Sequence, residues 1–211
     1  MREDRIWMEN INYSIHTMEL KKKIPLQWVS IYQQKLRKQK YRNYTRYGVR
    51  IDVYAAMNCG ILKLKISLNS VYWMDIERVE LFHTSPENIE RLHLNLQEIL
   101  KDADLGSVQT FQFSRVDFSV NARVENPQLY IALAYKSGIP YGFQPMYLRF
   151  DNPKRQKKIF YQRSYDVMQN KGHWGMTLYD KEQQLREDIY ATEDDCMYAK
   201  GILRLEMKCD A

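Results

Sequence analysis

The run SPENIERLHLNLQEILKDADLGSVQTFQFSRVDFSVNARV, residues 85–124, carries a helix period and a strand period back to back. Ser85 offers a hydroxyl that caps free amides, Pro86 has the fixed φ suited to a first helical position, and Glu87 faces the positive end of a helix dipole. Ile89, Leu92, Leu96, Ile99 and Leu100 then recur at helical spacing, which predicts a helix running toward Gly106. From about Val108 to Val124 the pattern changes to alternation, which predicts a long strand. A helix handed directly to such a strand points to an α+β fold, with a largely antiparallel sheet and helices packed on one face.

The same reading extends outward. Residues 8–16 alternate, with Ile11, Tyr13 and Ile15 on one side, and the strand is expected to break at Lys21–Lys23 and Pro25. Residues 26–40 suit an amphipathic helix with Leu26, Val29, Tyr32 and Leu36 on its apolar side, and residues 48–55 and 60–69 read as strands. Asn126-Pro127 opens a second helix over Gln128–Lys136. Residues 146–150 and 157–163 look like strands around Asp151-Asn152-Pro153, and residues 174–180 form another. Lys181–Tyr190 is a short polar helix, Glu193-Asp194-Asp195 an exposed turn, and Ile202–Lys208 the last strand. The expected organisation is one domain over 1–211, built from two βαβ-like halves, 1–124 and 125–211.

Hydrophobic residues make up 45% of the 211, enough to bury a core without metal or disulfide staples. No apolar run approaches the roughly 20 residues of a membrane span, and Met1-Arg-Glu-Asp-Arg-Ile-Trp lacks a secretory signal's apolar stretch. Cys59, Cys196 and Cys209 are widely spaced and form no CxxC pair, which fits a cytoplasmic protein with reduced thiols and no membrane partner. The net charge of +6 favours a polyanionic partner.

That charge is concentrated. Residues 35–50, KLRKQKYRNYTRYGVR, hold Lys35, Arg37, Lys38, Lys40, Arg42, Arg46 and Arg50 without an acid, interleaved with Tyr41, Tyr44 and Tyr47. Cations attract phosphates and flat rings stack on unpaired bases, so the run reads as a nucleic-acid interface. Lys154, Arg155, Lys157 and Lys158, flanked by Arg149 and Arg163, form a second basic stretch.

Two strands carry matching polar triplets, Arg115-Val-Asp117 and Arg204-Leu-Glu206. Residues two apart on a strand share a face, so neighbouring strands would bring Asp117 and Glu206 together. Val116, Phe118, Val120, Leu203, Leu205 and Met207 would then fill the core behind them. Paired carboxylates are hard donors for magnesium or manganese; the competing reading is a salt-bridge ladder of Asp117 with Arg204 and Glu206 with Arg115. Thr177, Tyr179 and Lys181 share a strand face too, and a tyrosine beside a lysine is a candidate nucleophile with a phosphate-binding cation. Arg91-Leu-His-Leu-Asn95 imitates a metal motif but lies inside the helix, where residues two apart diverge. His173 is a lone histidine at a strand start.

In order along the chain, Ile61-Leu-Lys-Leu-Lys-Ile-Ser-Leu68, the capped helix, Ser114-Arg-Val-Asp-Phe118, Thr177-Leu-Tyr-Asp-Lys181 and Ile202-Leu-Arg-Leu-Glu206 resemble the rolling-circle replication initiators of filamentous phages and Gram-positive plasmids. The resemblance covers roughly residues 60–209. It implies an origin-nicking endonuclease: a divalent ion on Asp117 and Glu206 polarises a phosphate of single-stranded or origin DNA, a tyrosine attacks it, and Lys181 faces the phosphate beside Tyr179. In that family the nucleophile tends to follow the last strand, whereas here Glu206 is followed only by Met-Lys-Cys-Asp-Ala211. Two expectations therefore stand: an initiator truncated before its nucleophile, in which Tyr179 is the best remaining candidate and nicking is inefficient, or a non-catalytic nucleic-acid-binding module of a mobile element that regulates or inhibits a nucleic-acid machine. Oligomeric state is left open.

Overall fold

The computed structural model describes residues 11–38, 47–74, 79–145, 164–169, 172–188 and 191–210. The chain is α+β, as its periodicity predicts, and it divides into two compact units inside one strand. One unit is Ile15–Val116; the other is Asp117–Asp210 with the chain before Ile15.

The Ile15–Val116 unit runs β1 (Ile11–Ile24), α1 (Trp28–Lys38), β2 (Val49–Ala55), β3 (Gly60–Ser67), α2 (Leu68–Trp73), α3 (Pro86–Asp102) and the first residues of β4 (Gln112–Arg123). Its strand order is β2-β3-β1-β4, a split βαβ arrangement in which β3 lies antiparallel between β2 and β1. Leu20, Ile24, Leu62, Leu64, Ile66, Val49 and Ile51 alternate onto one face and pack with Val29 and Leu36 of α1 and with Leu92, Leu96, Ile99 and Leu100 of α3. Burying seven such side chains on the sheet alone is worth on the order of 10 kcal/mol before entropy is counted, and this sets the helix-bearing face. The expected cap is in place: the Ser85 hydroxyl accepts from the Asn88 amide at 3.2 Å.

Several boundaries differ from the sequence reading. β1 does not break at Lys21–Lys23; it pairs with β3 residue by residue from Thr17↔Ser67 to Ile24↔Gly60. Leu20 and Ile24 anchor the run on the core side, and a lysine's long aliphatic stem tolerates a half-buried strand position. Leu68 leaves the strand and starts α2, whose terminal carbonyls at Val71 and Tyr72 accept from the Asn95 side chain at 3.0 and 2.9 Å. Val108–Thr110 is a 3₁₀ turn ahead of β4. Ile89 is exposed because the apolar stripe of α3 is narrower than its pattern suggests, and Leu26 is exposed in the turn before α1.

In the Asp117–Asp210 unit, the remainder of β4 is followed by α4 (Pro127–Ser137), β5 (Phe143–Pro145), β6 (Ser164–Gln169), β7 (Trp174–Asp180), α5 (Lys181–Leu185), α6 (Glu193–Tyr198) and β8 (Ile202–Asp210), in strand order β4-β8-β7-β6-β5. The β5–β6, β6–β7 and β7–β8 pairs are antiparallel. Tyr165, Val167, Leu203 and Ile131 form the core, joined by Met176 and Leu178. Glu193-Asp194-Asp195 is the first turn of α6 rather than an exposed loop. Thr192 caps it, and its hydroxyl and backbone amide exchange bonds with the Asp195 amide and carboxylate. The expected strands over 146–150 and 157–163 lie outside the described residues. No helix among the described residues is long and apolar enough to cross a membrane.

Candidate functional site

Polar residues of β8 and of β4 from Asp117 onward share one sheet face of the Asp117–Asp210 unit. β8 lies between β4 and β7, and the β7–β8 register sets Thr177 opposite Glu206 and Tyr179 opposite Arg204. The Tyr179 hydroxyl donates to Glu206 Oε1 at 2.5 Å. On the other side of β8, Arg204 Nε donates to Asn121 Oδ1 at 2.8 Å. That bond fixes which face β4 shares with β8. Strand alternation then carries Asp117 and Ser119 to the face that also holds Arg204, Glu206 and Tyr179. The start of β8 is held by the Val124 amide, which donates to the Gly201 carbonyl at 2.8 Å.

This polar face is buried at its centre, and the expected apolar back is covered only in part: Leu203 joins the core, but other residues of that side do not. Arg204 is 0% and Asp117 3% exposed, whereas Phe118 is 45% and Met207 38% exposed. Alternation says which side chains share a face; it does not say which face becomes covered. The expected salt-bridge ladder also takes another form. Arg204 turns to Asn121, and Arg115 reaches Glu19 Oε1 at 3.4 Å in its own unit. Ser119 Oγ is buried and has no hydrogen-bond partner among the described residues.

Lys181 is displaced from its expected place on the strand face. β7 ends at Asp180, whose carboxylate caps α5 by accepting from the Glu182 and Gln183 amides at 3.1 and 3.3 Å. Lys181 is thereby the first helical residue, buried, and its Nζ donates to Gln184 Oε1 at 2.7 Å. The strand ends at Asp180 and the helix begins at Lys181, as the sequence reading has them; the error lay in extending the strand face to Lys181, past an aspartate that acts as a cap.

Asn121 and Asp166 are not singled out by the sequence, and Ser119 is placed there only as sharing a face with Asp117. Asp166 stands opposite Thr177 on β6 and accepts from the Ser164 hydroxyl, which places a further carboxylate on this face. The signal for Ser119 and Asn121 was present in the alternation of Asp117, Ser119 and Asn121 along one strand. Asp117 and Glu206 are hard oxygen donors on neighbouring strands, and two carboxylates completed by water and phosphate oxygens suit magnesium or manganese. No group of three or more His, Cys, Asp or Glu side chains among the described residues gathers into a fuller cage.

The first basic segment is only partly described. Lys35 is ion-paired with Asp104, Arg50 with Asp52 at 3.2 Å, and Tyr47 packs against the core. Acids outside the run thus meet part of it, Asp104 from far along the chain and Asp52 from just beyond its end. Arg37 is exposed on α1, which Lys38 closes. Lys40, Tyr41, Arg42, Tyr44 and Arg46, and the second stretch of Lys154, Arg155, Lys157 and Lys158, lie outside the described residues.

No family model and no curated protein matches the chain.

Proposed function

We propose that the chain is a cytoplasmic DNA-binding protein of the replication-initiator type, and that the Asp117–Glu206–Tyr179 face is a site for metal-dependent strand cleavage. One observation carries this reading: the 2.5 Å hydrogen bond from Tyr179 to Glu206. A phenol is a weak nucleophile until a base takes its proton, and a carboxylate at hydrogen-bond distance is positioned to do so. Glu206 accepts the proton as the Tyr179 oxygen attacks phosphorus. A tyrosyl 5′-phosphodiester forms, the bond to the 3′-oxygen breaks, and that oxygen leaves as a hydroxyl after taking a proton. A magnesium or manganese ion on Asp117 and Glu206 would polarise the phosphate.

The burial of Asp117 favours the second reading, a non-catalytic nucleic-acid-binding module on the same scaffold, because DNA reaches a covered carboxylate only if the face opens. Incubating the protein with labelled single-stranded DNA and manganese, then running a denaturing gel, separates the two. The cleavage reading expects a covalent adduct that Tyr179→Phe abolishes and Glu206→Gln lowers by about 100-fold or more. DNA binding without an adduct in the wild type supports the module.

A further inference from the structure

We propose that the open face of the β2-β3-β1-β4 sheet, opposite α1 and α3, is a platform for single-stranded nucleic acid. The ligand class is that of the preceding reading, but none of the residues is shared, so either proposal can fail alone.

The core side chains of these strands occupy one set of alternate positions. The other set holds Lys21 and Lys23 of β1, Lys63 and Lys65 of β3, Arg50 of β2 and Arg115 of β4. The acids on that face are Glu19 and Asp52, and both are engaged. Glu19 is buried between Lys63 at 2.7 Å and Arg115 at 3.4 Å, and Asp52 meets Arg50 at 3.2 Å. Lys21, Lys23 and Lys65 have no ion-pair partner among the described residues.

The register adds a second observation. Lys21 stands directly opposite Lys63, and Arg50 directly opposite Lys65. Like charges facing each other across a strand pair oppose sheet formation. A polyanion laid across the strands relieves that repulsion and releases its own counterions.

Rings on the same face select the form of the polyanion. Tyr54 is 40% exposed on β2, two residues beyond Asp52. Phe113 is 63% exposed on β4, two residues before Arg115, whose guanidinium reaches Glu19. Exposed rings among lysines stack on unpaired bases, whose faces a duplex hides. Phosphates therefore fall to the lysines and bases to Tyr54 and Phe113.

Fluorescence anisotropy of a labelled oligothymidylate across a salt series tests this on the full chain. Replacing Lys21, Lys23 and Lys65 together by glutamine should lower the slope of log affinity against log salt by about 2, since each single-strand phosphate contact accounts for about 0.7. Tyr54→Ala with Phe113→Ala should weaken binding at least about fivefold while leaving the slope unchanged. All these side chains are at least partly exposed, and an unchanged thermal melt by circular dichroism confirms folding. Wild-type protein that binds the oligothymidylate and forms no covalent adduct would overturn the cleavage reading while leaving the platform standing. An unchanged slope in the lysine variant, an unchanged affinity in the ring variant, equal binding of a duplex, or equal competition by polyglutamate would each overturn the proposal.

Discussion

Arg204 has no exposed surface, and its Nε proton goes to the amide oxygen of Asn121 on the next strand. A buried guanidinium that loses an acceptor keeps its desolvation cost, so Asn121→Ala should lower stability by about 2 kcal/mol in urea unfolding. Arg204→Met removes the charge along with its partner's task and should cost less than Asn121→Ala. Gly201 is a separate constraint. Its φ is +75°, and a Cβ there would stand 2.8 Å from the Val124 carbonyl oxygen, so Gly201→Ala strains the backbone where β8 begins against β4. At the head of α3, the backbone amide of Glu87 first and the Ser85 hydroxyl second hold the Glu87 carboxyl below its usual range. A depressed carboxyl stabilises the fold above its unfolded pKa and loses that contribution as pH falls through the folded one. Glu87→Gln should therefore lower the melting temperature at pH 7, and the difference should vanish once the pH has fallen through the lowered folded-state pKa. The pairing of the two polar triplets was legible at this scale, because period-two spacing puts Asp117 with Ser119 and Arg204 with Glu206. The Tyr179–Glu206 contact was not, because register between β7 and β8 depends on the two-helix connection that joins them.

Elements were readable where local signals agreed and misread where they conflicted. Ser85, Pro86, Glu87 and an apolar stripe all argue for α3, and the helix is there from Pro86 to Asp102. Glu193-Asp194-Asp195 looks like a solvated acidic turn until Thr192 is counted as a cap. The three acids then sit at the positive end of the α6 dipole, and Asp195 closes the capping box. Six residues are too few for a helix to persist on propensity alone. Thr192→Ala should accordingly cost about 1 kcal/mol in chemical denaturation. β1 shows the reverse error. Three consecutive lysines suggest a break, yet the tertiary ladder to β3 overrides the local pattern. Strand propensity reports fit to a half-buried surface, and lysine stems meet that requirement when their ammonium groups reach water.

For the molecule as a whole, a net charge of +6 indicates the sign of its partner but not the surface that meets it. Sequence reading placed the cations in two linear runs, and in the first of them Asp104 and Asp52 take up Lys35 and Arg50. The exposed cations of β1 and β3 are dispersed along the chain and gather only through pairing. The division of the chain within β4 has a different consequence, one that concerns time. Ile15–Val116 is an uninterrupted stretch, so every residue of that unit is synthesised, and leaves the ribosome, before the chain that follows it. In the Asp117–Asp210 unit the last strand to be made, β8, lies between β4 and β7. Until β8 emerges, β4 and β7 have no strand to join them, and β7 presents an unpaired edge to other chains. Pulsed proteolysis of stalled nascent chains should show Ile15–Val116 becoming resistant first and the later unit only after Asp210 is released. Any delay between the emergence of Asp180 and that of Ile202 onward would prolong the exposure of that edge, making this short interval the period of greatest risk of aggregation.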